Sequence, residues 1–138
     1  MANYYGMFRT NYFQVTDEER YKDIICKLSC DGDFDAWDDI DENGIKRHAF
    51  GGDGSLCAYD EETGDDVLFA LLDELSGILP ENDAVIITEV GHEKLRYLVG
   101  VATVIARKGT FCVDLENAAL DSARCLLGDD RYVTRFDY

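Results

Sequence analysis

Cations, histidine and proline are the scarce residues of this 138-residue chain. Thirteen Lys and Arg stand against 29 Asp and Glu, for a formal charge of −16. Such a surface repels phosphate, which argues against direct binding to a nucleic-acid backbone. A single proline and the lack of any Pro- or Ser-rich stretch leave no linker, so residues 1–138 are expected to form one domain. No apolar run approaches the roughly 18 residues of a membrane helix, and Met1 is followed by tyrosines where a signal peptide would begin. A cytoplasmic setting is the expectation. The five cysteines (Cys26, Cys30, Cys57, Cys112 and Cys125) are an odd number without a CxxC pair, which reads as reduced thiols. Only His48 and His92 could join them around zinc, and no second ligand pair follows Cys26 and Cys30 at zinc-site spacing. No metal or cofactor is expected there.

Apolar residues are plentiful, at 46%, and aromatics reach 12%, enough for a packed core. The charge is unevenly placed. Residues 1–30 carry four acids and four bases, and residues 84–138 eight acids and seven bases. Residues 31–83 carry seventeen acids against Lys46 and Arg47, a net −15 within 53 positions. The densest parts are Asp31 to Glu42 and Asp60 to Asp66.

A coarse walk gives the order of elements. Asn11–Val15, starting as early as Tyr4, reads as a strand from its aromatic and β-branched content. Thr16 or Asp17 then caps a helix to about Ser29, with Tyr21, Ile24, Ile25 and Leu28 on its buried face. Asp31–Glu42 reads as a turn-rich stretch with side chains in water. Ile45–Phe50 and Ser55–Tyr59 flank Gly51-Gly-Asp-Gly54, which reads as a hairpin turn. Asp65 or Asp66 caps a second helix that ends near Gly77 and Pro80. Ala84–Val90, Leu95–Ala106 and Thr110–Val113 read as strands. Leu115–Leu127 reads as a helix capped by Asp114, with Ala118, Ala119, Ala123 and Leu126 on its apolar face. Arg131–Phe136 is a further candidate edge strand. Short links between the later strands imply antiparallel pairing, so the expected class is α+β, a single domain with an antiparallel sheet and about three helices packed on one face.

Chemistry is nearly silent. Counted as an EF-hand from Asp31, the chain fills ligand positions 1, 3, 5, 9 and 12 with Asp31, Asp33, Asp35, Asp39 and Glu42. Ala36 stands where the turn needs glycine, however, and Gly44 interrupts the exiting helix. Gly51-Gly-Asp-Gly54 lacks the Gly-Lys-Ser/Thr ending of a phosphate loop. His92, in Gly-His-Glu-Lys, has no Ser or Cys nucleophile in a recognisable elbow nearby and reads as part of a polar turn. No enzyme is expected and no catalytic residue is assigned.

The acidic segment is the informative feature. Solubility asks for a net charge of roughly 2–8 in a small domain, far below what is present. Fifteen charges correspond to about 25 Å of duplex DNA, and a domain of this length spans on the order of 35 Å. The charge density is therefore that of a short piece of nucleic acid, with Phe34, Trp37 and Ile40 interleaved as apolar anchors. In these acidic clusters the chain resembles the small acidic α+β inhibitors of phages and mobile elements, the anti-CRISPR and anti-restriction DNA mimics. The stretches Tyr4-Tyr-Gly-Met-Phe-Arg-Thr-Asn-Tyr-Phe and Gly91-His-Glu-Lys-Leu-Arg-Tyr97 also resemble an uncharacterised family of Gram-positive bacteria and their mobile elements. The mimic resemblance implies a non-enzymatic inhibitor that blocks nucleic-acid access to a basic protein, a CRISPR effector or restriction nuclease. Its expected contact residues are Asp31, Asp33, Asp35, Trp37, Asp38, Asp39, Asp41 and Glu42, then Asp60, Glu61, Glu62, Asp65 and Asp66. The alternatives are a calcium- or ligand-binding domain using Asp31–Glu42, and an acidic interaction or immunity protein.

Overall fold

The computed structural model describes residues 4–94 and 97–136. Alternation in β1 (Tyr4–Thr10) buries Phe8 and Thr10 and turns Tyr5, Met7 and Arg9 to the opposite face. Helix α1 (Glu18–Lys27) starts at Asp17, whose carboxylate accepts from the Arg20 amide at 3.1 Å. It buries Tyr21 and Ile24, with Leu28 just beyond. Strands β2 (Phe34–Ile40) and β3 (Lys46–Asp53) follow, then α2 (Leu68–Gly77), which buries Leu71, Leu72 and Leu75. The chain continues through β4 (Ala84–Glu93), β5 (Tyr97–Ala106), β6 (Gly109–Asp114) and α3 (Leu115–Leu127). All six strands form one antiparallel sheet in the order β2-β3-β1-β4-β5-β6.

The fold is therefore the expected α+β single domain, with helices packed on the sheet. The order of element types also matches, one strand, a helix, two strands, a helix, three strands and a helix, but the pair between the first two helices is Phe34–Ile40 and Lys46–Asp53 and not Ile45–Phe50 and Ser55–Tyr59. The core lies on one face, where Phe8, Phe50, Val85, Ile87 and Ile105 meet the apolar sides of α1 and α2 and the buried Phe13. No helix among the described residues is long and apolar enough to cross a membrane.

Several expectations need correction. The first strand is Tyr4–Thr10, and Asn11–Val15 holds only a single bridge, Phe13 to His48. Gly51 and Gly52 are not a turn but lie inside β3. A Cβ on Gly51 would stand 2.7 Å from the Phe8 carbonyl oxygen, and one on Gly52 2.7 Å from the Cys30 sulfur. Close backbone approach, rather than turning, is what glycine supplies at both positions. Ser55–Tyr59 makes isolated bridges to Ser29 and Asp66 instead of a hairpin arm. Asp31–Glu42 is not a loop, because its middle forms β2 on the edge of the sheet. His92 lies within β4, with the turn one residue past the strand at Lys94. The predicted start of β5 at Leu95 and Arg96 lies outside the described residues. Arg131–Phe136 forms no strand. Helix α3 has its predicted limits and cap, and Gly128 closes it in the left-handed region (φ 67°), yet it buries none of its residues.

Candidate partner-binding surface

Strand β2 carries the densest acidic sequence as an edge strand, paired with β3 from Phe34↔Gly52 to Ile40↔Lys46. Period two divides its side chains between the faces of the sheet. Phe34, Ala36, Asp38 and Ile40 share the helix-covered side, and Asp35, Trp37 and Asp39 the open side. Phe34 stacks on Phe50 at 5.9 Å and meets Phe8 at 6.3 Å, so it belongs to the core and is no external anchor. Trp37 is half-buried. Its indole N–H donates to the Tyr12 hydroxyl at 3.1 Å, and the Arg9 guanidinium lies 5.7 Å from its ring. Ile40 is exposed.

Some of the predicted acids are committed to the fold. Asp38 is 2.6 Å from His48 Nδ1, and Glu18 of α1 is 2.8 Å from His48 Nε2. His48 is buried, so this clamp joins α1, β2 and β3. Both bonds form together when the imidazole carries a proton on each nitrogen. Tyr21 stacks against the same ring at 4.2 Å, and burial, reinforced by the charges of Asp38 and Glu18, raises its hydroxyl pKa. Asp41 accepts from Arg47 at 2.8 Å and from the amides of Asn43 and Ile45. The Arg47 bond, with the backbone bonds behind it, holds its pKa below the usual value. Asp60 folds its own turn by accepting from the Glu62 and Thr63 amides, and those bonds likewise lower its pKa. The N-cap position of α2 is Val67 and not Asp65 or Asp66, although the Asp66 carboxylate accepts from the Leu68 amide at 3.0 Å.

The expectation that all the acids of Asp31–Glu42 stand free in water is thus corrected for Asp38 and Asp41. Asp31, Asp33, Asp35, Asp39, Glu42, Glu61, Glu62 and Asp65 are exposed, and their carboxylates make no hydrogen bond or ion pair among the described residues. Asp35 and Asp39 are about 13 Å apart along an extended strand. They cannot wrap one calcium ion, and no group of three or more His, Cys, Asp or Glu among the described residues is placed to hold a metal.

Glu18 was missed by sequence reasoning and Tyr21 was read only as a core residue, since nothing local links an α1 carboxylate to a strand histidine 30 positions away. A second surface was missed as well. On the open side of the sheet, Tyr5, Met7, Val90, His92 and Leu98 line a shallow depression, with the Tyr5 and His92 rings 5.9 Å apart. The signal was present in Ala84-Val-Ile-Ile-Thr-Glu-Val90, which is apolar on both alternating sets, as in a strand that needs cover on two faces. Comparison with protein-family models, with curated proteins and with solved structures returns no match.

Proposed function

We propose that this protein is a non-enzymatic inhibitor whose acidic edge occupies the nucleic-acid groove of a basic protein, a CRISPR effector or a restriction nuclease. The observation that carries the reading is the concentration of net charge −15 in residues 31–83, with a large share of those carboxylates exposed and unpaired. Strand geometry supports it further. Alternate residues of an extended chain are ~6.8 Å apart, about twice the ~3.4 Å axial rise per phosphate along one nucleic-acid strand. Asp35 and Asp39 lie two such steps apart on the open side of β2, with Trp37 in the intervening position offering an aromatic edge. Charge of this kind steers the encounter, and the aromatic contact adds affinity.

The test is capture of partners from cells that contain CRISPR or restriction enzymes, at low salt where steering is strongest. The expected result is a nucleic-acid-binding partner that a duplex oligonucleotide displaces. The variant Asp35→Lys/Asp39→Lys/Glu42→Lys, which spares Asp38 and Asp41, should lose the partner and keep its fold. Unchanged affinity and salt dependence in that variant would leave the acidic segment a solubilising surface. A partner that nucleic acid fails to displace would favour an acidic interaction or immunity protein.

A further inference from the structure

The far end of the sheet has apolar side chains that no described residue covers. Beyond Ile105, no described residue is buried. Leu98, Phe111, Val113 and Leu115 are 72%, 69%, 41% and 66% exposed, and Leu126 and Leu127 of α3 are 88% and 61% exposed. From the ladder, Leu98, Phe111 and Val113 lie on the open side of the sheet, and Leu115 continues that row beside Gly100.

Three observations identify the missing cover. A 13-residue helix is at the lower limit of what holds in water on propensity and caps alone, so α3 with no buried residue calls for packing from outside the chain. The β6 edge reads Gly-Thr-Phe-Cys-Val-Asp, without the lysine or proline that keeps an open edge from pairing. Charge then selects the occupant. Copies of a −16 chain repel one another, yet residues 84–138 are net −1 and residues 1–30 net zero, so the apolar surface these two segments share on the open side is where two copies can meet without bringing acidic clusters together.

We infer that a second copy of this chain docks on the open side of the sheet at its β5–β6 end in an isologous dimer, in which the same patch of each copy covers the other. The area is sufficient. A fully buried Leu, Val or Phe removes on the order of 100 Å² of apolar surface, so Leu98, Phe111, Val113 and Leu115, with the exposed Tyr5, Met7 and Val90 of the adjoining depression on the same side, supply roughly 400 Å². A stable interface buries ~800 Å² per partner, of which about 60% is apolar, or roughly 500 Å². Ile86, exposed on that side as well, adds to the supply. The inference is independent of what the acidic edge binds.

Light scattering on the full chain in reductant tests it, over about a hundredfold dilution range. The expected mass is twice the 15.5 kDa of one chain, falling toward one chain on dilution, with a Tm that rises with protein concentration. Phe111→Asp and, separately, Leu98→Asp should halve the mass and abolish that concentration dependence with unchanged far-UV circular dichroism. Both side chains are too exposed for the substitutions to unfold a single chain. Asp35→Lys/Asp39→Lys/Glu42→Lys should leave the mass at two chains, which separates this surface from the acidic one. A wild-type mass of one chain throughout the range would overturn the inference and assign the patch to a different protein. So would a dimer that survives both apolar-to-acid substitutions.

Discussion

The two edges of this sheet are built to opposite specifications. Strand β2 at one edge is studded with Asp35, Asp38 and Asp39, so like charge keeps another β2 away while its backbone groups stay open. Strand β6 at the other edge, five strand spacings or about 24 Å away, has Phe111, Cys112 and Val113 exposed and only Asp114 charged. Between them the core is equally lopsided, since α1 and α2 seal one face near β1, β3 and β4 while α3 seals nothing. The contrast teaches that apolar content and apolar burial are separate quantities. A residue with the right period finds cover only if the fold puts a surface opposite it.

The sharpest way to press that contrast is to truncate a leucine at each end. Leu75→Ala, at a side chain with no exposure, should cost about 2–5 kcal/mol in urea unfolding through the cavity it opens. Leu126→Ala, at 88% exposure, should change the stability of the dilute single chain by less than about 0.5 kcal/mol. Comparable losses at both positions would mean that α3 is packed after all. Within β2 the same logic applies to adjacent carboxylates on opposite faces. Asp38→Asn weakens the bond to His48 and should cost about 1 kcal/mol, whereas Asp39→Asn should be silent within about 0.5 kcal/mol. Thermal melts of the two variants side by side would show it.

The smallest effect is expected at high pH. Tyr4 is half-buried and donates its hydroxyl to Glu89 at 2.8 Å. Burial, then that bond, then the charge of Glu89 push its pKa from 10.0 to about 12. A raised folded-state value means that the stabilisation is complete below pH 10 and is lost as pH rises through about 12. Tyr4→Phe should flatten the decline of the denaturation midpoint across that window, and an identical slope in both proteins would exclude Tyr4 as its source.

Much of the architecture was legible because apolar periodicity and helix caps are local signals. Asp17 and Asp114 cap the helices they were expected to cap, and Tyr21, Ile24 and Leu28 are buried as their spacing implied. The failures arise where one residue type serves two physical needs. Gly51-Gly52 has the composition of a turn, but only the neighbouring β1 backbone reveals that the glycines give room for close approach. Aspartate disfavours strands, so Asp31–Glu42 read as loop, yet an edge strand tolerates charge on both faces. The acidic surface was legible in outline from charge alone. Its division into structural and free carboxylates was not, because His48 and Arg47 choose their partners through the β2–β3 register.

The position of β1 at the centre of the sheet has a kinetic consequence. This strand is made first, but its two neighbours are β3 and β4, and the ladder from Tyr4↔Glu93 to Thr10↔Ile87 joins residues some eighty positions apart. Long loops must therefore close before the middle of the sheet exists, which places folding among the slow, non-local cases. During synthesis Tyr4–Thr10 waits, unpaired and aromatic, while the acidic segment emerges behind it. The mutual repulsion of nascent chains that bear those carboxylates then works as an internal protection against misassembly during the interval before β4 arrives.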